Sequence, residues 1–75
     1  MIPRPVTAAE ALRSALPRLQ AAGVETAARD ARVLLAHAMG IAADRLTLHL
    51  PDPLTEAALA AYDAAITART NHQPV

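Results

Sequence analysis

From Thr26 to Gly40 the apolar positions recur with the period of a helix. Ala27, Ala31, Leu34, Leu35 and Ala38 gather on one face, Ala28 and Met39 lie at its edge, and Arg29, Arg32, Ala36 and His37 fall on the other side. Thr26 is a residue type that caps first-turn N–H groups, and Gly40 can take the left-handed conformation that ends a helix. The pattern predicts a central helix over 27–39, with the rest of the chain arranged to cover its stripe.

The flanking segments carry similar signals. Thr7-Ala8-Ala9-Glu10 has the form of a capping box, and Leu12, Leu16 and Leu19 follow at helical spacing. Pro17 interrupts them. A proline inside a helix removes one backbone bond and clashes with the preceding turn, so this segment is either kinked or split into helices 8–16 and 17–22. Gly23 and Val24 form the corner after it. Arg45 to Leu50 alternates polar and apolar, as a strand does, yet no second strand candidate exists to pair with it. Leu46 and Leu50 also fit i, i+4, and Asp44 suits a first turn, so a short helix over 43–50, stopped by Pro51, is the better reading. Thr55 caps a last helix over 56–70, with Leu54 and Leu59 placed as a hydrophobic staple and Leu59, Tyr62 and Ile66 as its stripe. Pro3 and Pro5 make residues 1–6 an extended lead-in. His72 to Val75 carries no cap, charge cluster or apolar anchor and reads as the start of a linker. The expected fold is all-α: one domain over 1–75, a small four- to five-helix bundle.

Composition sharpens this picture. A chain of 75 residues buries a modest core, with an expected stability of about 3–5 kcal/mol. Twenty of its forty apolar residues are Ala, which add helix propensity but little area. The core is therefore expected from the ten Leu, four Val, three Ile, two Met and Tyr62, the last with its hydroxyl at the surface. There is no cysteine, no signal-peptide h-region and no apolar run long enough for a bilayer, which places the chain in the cytoplasm with no membrane partner. Seven Arg balance seven acidic residues, which disfavours a nucleic-acid binder such as a helix-turn-helix. A monomer is expected.

Candidate chemistry is sparse. His37, His49 and His72 lie 12 and 23 residues apart on different elements, with neither HxxxH nor HExxH spacing. Asp30 and His37 are separated by about 10.5 Å of helix rise, too far for a hydrogen bond. Two isolated glycines make no phosphate loop, and Ser14 has neither a Gly-x-Ser-x-Gly setting nor the Asp-Ser-Leu setting of a carrier protein. The sequence thus offers no catalytic, cofactor-binding or metal-binding residue. Arg29 and Arg32 are the candidates for a partner-docking patch; the alternative is an ordinary solvated face with Glu25 and Arg29 paired at i, i+4.

Two motifs add a family resemblance. Ala28-Arg29-Asp30-Ala31-Arg32-Val33-Leu34-Leu35-Ala36-His37-Ala38-Met39-Gly40 is close to R-D-A-x-x-L-L-x-H-x-x-G, and Arg69-Thr70-Asn71-His72-Gln73-Pro74-Val75 fits R-x-x-x-x-P-[IV]. Together with the capped first helix ending in Leu19-Gln20-Ala21-Ala22-Gly23-Val24, the chain resembles, over nearly its whole length, the N-terminal domain of the HemK/PrmC family of peptide chain release factor glutamine methyltransferases. The resemblance implies a helical domain, usually of five helices, joined by a linker to a Rossmann-like domain. That second domain would bind S-adenosylmethionine and methylate the GGQ glutamine of class I release factors through an N-P-P-Y motif. Neither that motif nor a glycine-rich cofactor loop occurs here, so the implied role is recognition of the release factor without catalysis. The competing reading is a free-standing helical interaction module.

Overall fold

The computed structural model describes residues 6–71. The extended lead-in expected for 1–6 and the linker-like end at 72–75 therefore lie, apart from Val6, outside the described residues. Helix α1 spans Ala8–Ala21, α2 spans Ala27–Met39, a 3-10 helix spans Ala43–His49, and α3 spans Glu56–Thr70. Each of the three α-helices packs on the other two, and the 3-10 helix lies against α2. Among the described residues there is no strand, only a single bridge between Thr7 and Pro53.

Of the two readings at Pro17, a kink or a split, the split is not present: 8–16 and 17–22 form one helix, α1, with the proline inside it. The exposed ring faces solvent, while Ala8, Ala11, Ala15 and Leu19 are buried on both sides of it, so packing before and after the proline carries the helix through the missing bond. The described residues accordingly form a four-helix arrangement. The segment expected as a helix over 43–50 is helical but of 3-10 type, ending at His49. Leu46 is fully buried there, and Leu48 is 72% exposed.

Alanine contributes more to the interior than composition suggested. Six of the eleven buried apolar residues are Ala: Ala8, Ala11, Ala15, Ala27, Ala31 and Ala36. On α1 the alanines form the buried stripe, and Leu12 and Leu16 pack from its edges. Small side chains let helices approach closely, so the larger ones (Leu19, Leu35, Leu46 and Ile66) fill the space between the crossings. Ala36, expected on the polar side of α2, is buried as well. It lies one turn beyond Arg32, which bonds to Thr47, so this second face of α2 meets the 3-10 helix.

Capping follows the sequence at most ends. The Thr7 hydroxyl accepts the Glu10 N–H at 3.2 Å, and the Thr55 hydroxyl accepts the Ala58 N–H at 3.0 Å. The first two N–H groups of α1 are taken by the loop before α3: Ala8 donates to the Asp52 carbonyl and Ala9 to the Leu50 carbonyl, each at 2.9 Å. Thr26 departs from expectation. Its backbone, at φ −99 and ψ 37, lies outside the extended region of a normal N-cap, and its side chain makes no cap bond. Gly23 and Gly40 have φ of 83 and 72, and each closes a Schellman motif: Val24 N–H reaches the Leu19 carbonyl at 3.1 Å, and Ile41 N–H the Ala36 carbonyl at 3.0 Å.

Candidate functional site

The polar side chains of this bundle mostly join one helix to another. Arg69, in the last turn of α3, donates from Nε to Asp30 Oδ2 on α2 at 2.9 Å, and both side chains are largely buried, at 25% and 19% exposed. Arg18 on α1 spans a turn of α3, donating to Asp63 Oδ1 at 2.9 Å and to Thr67 Oγ1 at 3.1 Å. The hydroxyl of Tyr62, expected at the surface, is instead inside: the residue is 3% exposed and donates to the Ala31 carbonyl at 3.0 Å. That carbonyl already takes the helical N–H of Leu35, so the phenol uses its second lone pair. Burial pushes the Tyr62 pKa from 10.0 up to about 12, with the Arg18 charge acting weakly the other way.

These contacts give the two sequence motifs a spatial meaning. Asp30 and Ala31 belong to the Arg29-to-Gly40 pattern, and Arg69 opens the pattern at the end of the chain. The Asp30–Arg69 pair joins the two across 39 residues. Leu35 packs in the core, Gly40 ends α2, and His37 is exposed. Most of the central motif therefore does structural work. Spacing along α2 compares Asp30 only with residues of its own helix, whereas its partner comes from α3; that Arg69 and Asp30 each stand in a motif is the available signal in the sequence.

The two docking candidates separate. Arg32 turns toward the 3-10 helix and donates from Nη2 to Thr47 Oγ1 at 3.1 Å. Arg29 is exposed and lines an open groove of about 300 Å³ together with Thr26, Asp30, Val33, Leu34 and Arg69. The expected Glu25–Arg29 pair does not form, and Arg29 has no ion-pair or hydrogen-bond partner among the described residues. Val33, on the same groove, is 46% exposed.

No group of three or more metal-ligating side chains comes together among the described residues. His49, the last residue of the 3-10 helix, has its Nδ1 2.8 Å from Asp52 Oδ2 three residues on, and His72 is outside the described residues. Both glycines end helices rather than leading into one, and the first N–H groups of α1 are occupied by Leu50, Asp52 and Thr7. No helix is long and apolar enough to cross a membrane.

Comparison with known proteins assigns the chain a family. A release factor glutamine methyltransferase of Cereibacter sphaeroides is 65% identical to it over 68 residues, which cover 91% of the chain and 24% of that protein. The chain thus spans about a quarter of the length of the curated relative it matches. No solved structure gives a significant match. The family model described as the PrmC N-terminal domain matches residues 10–75, taking in both motifs and the ion pair that joins them, and the chain belongs to that family.

Proposed function

We propose that this chain is the recognition domain of a release factor glutamine methyltransferase. It holds a class I peptide chain release factor in the cytoplasm while a separate domain transfers the methyl group from S-adenosylmethionine to the glutamine. The observation that carries the reading is the 65% identity to a protein of that name over 91% of the chain. The use of charge supports it: Arg18, Asp30, Asp63 and Arg69 are engaged in holding helices together, which is the work of a scaffold. On this reading the chain contributes neither cofactor ligands nor catalytic groups.

Deletion of residues 1–75 from the full-length enzyme tests it. The expected result is a dissociation constant for the release factor raised at least tenfold, with S-adenosylmethionine binding within about twofold of the intact enzyme. Release-factor affinity unchanged by the deletion would sink the proposal.

A further inference from the structure

The groove beside Arg29 has features that the scaffold does not explain. Arg29 is the third residue of α2, in the first turn, where a positive charge opposes the helix dipole. Among the described residues no carboxylate is bonded to it: Glu25, one turn earlier, is not paired with it, and the neighbouring first-turn acid, Asp30, is engaged with Arg69. Among the described residues the groove therefore presents one positive charge, that of Arg29, without a bonded carboxylate. Next to it, Val33 and Leu34 form an apolar wall, Val33 being one of two large apolar side chains that the described surface leaves exposed. Residues that break a local stability rule without a compensating contact concentrate at functional or strained sites.

We infer that this groove docks an acidic segment of the protein partner, a carboxylate meeting the Arg29 guanidinium and an adjacent apolar side chain covering Val33 and Leu34. The inference rests on the recognition reading above and narrows it to one surface. Charge complementarity selects the occupant. A guanidinium that has no internal partner gains a bidentate carboxylate at small ordering cost, and the apolar wall adds area that water leaves on docking. Arg32 is outside this surface because its guanidinium is engaged with Thr47. The balanced charge of the chain, seven basic and seven acidic residues, argues against a nucleic-acid phosphate as the occupant.

The test uses the full-length enzyme carrying Arg29→Glu or Val33→Asp, with Arg13→Glu on exposed α1 surface as the matched control. Release-factor affinity is measured at about 50 and 200 mM salt, beside the melting temperature and the oligomeric state. Arg29→Glu is expected to weaken binding at least tenfold and to flatten its salt dependence, while the melting temperature stays at or above that of the parent. Val33→Asp weakens binding to a similar degree, and Arg13→Glu stays within about twofold. Affinity loss that merely tracks a fall in melting temperature would overturn the inference by making Arg29 structural. So would affinity within twofold of the parent for both groove variants. If the 1–75 deletion weakens binding and the groove variants do not, recognition stands and this surface is wrong; if neither weakens it, both proposals fall. A parent enzyme that is dimeric, with Arg29→Glu monomeric, would assign the groove to a second copy and overturn the inference as well.

Discussion

Tyr62 combines a buried ring with an internal hydrogen bond. Its ring fills the space between α2 and α3, and its hydroxyl ties them through the Ala31 carbonyl. Removing that hydroxyl in Tyr62→Phe leaves the carbonyl with its helical bond, so the expected loss is about 1 kcal/mol rather than the larger cost of an orphaned group. Urea denaturation checks this. The same residue makes stability depend on alkaline pH. The folded state holds the phenol at about 12 against 10.0 when free, so its contribution is complete below pH 10 and is lost as pH rises toward 12. The chain has no lysine and no cysteine, and arginine stays charged throughout, so no other side-chain type titrates in that window. Melting temperatures recorded from pH 9 to 12 are expected to fall in the parent and to stay nearly flat in Tyr62→Phe.

Among the elements, the helix starts differ in what their threonines do. Thr7 and Thr55 each accept a third-residue N–H, and Thr26, with the same position relative to its helix, accepts none. Thr7→Ala and Thr55→Ala are each expected to cost about 1 kcal/mol, whereas Thr26→Ala costs only a few tenths. Chemical denaturation of the three variants separates them. The contrast shows where local sequence signals fail. All three threonines stand at a plausible cap position, but a cap also needs extended backbone, and at Thr26 the corner through Gly23 and Val24 places the backbone elsewhere. Pro17 makes the complementary point. Local propensity argues for a break, and the buried alanines and Leu19 on either side override it.

For the whole molecule, the links between helices carry unequal weight. Asp30–Arg69 is largely shielded from water, and Arg18–Asp63 lies in the open. Double-mutant cycles are expected to give a coupling of about 1–2 kcal/mol for the first and below about 0.5 kcal/mol for the second, read from equilibrium unfolding. Against a total of about 3–5 kcal/mol, the shielded pair is a substantial part of what holds α3 to α2. Because it sits in the last turn of α3, losing it also frees the end of that helix.

Helix positions, the three corners and the all-α class were legible along the chain, because period, caps and glycines act within a turn or two of one another. The family resemblance was legible for the same reason, as spaced residue types in two short stretches. Which faces meet was not. The alanine stripe of α1, the burial of Ala36, the internal hydroxyl of Tyr62 and the union of Asp30 with Arg69 all join residues from different helices. Their partners depend on how the helices cross, which no local pattern encodes. The same holds for the candidate site: Arg29 and Arg32 look alike on a helical wheel, and they part only because the 3-10 helix folds back to engage one and leaves the other facing solvent.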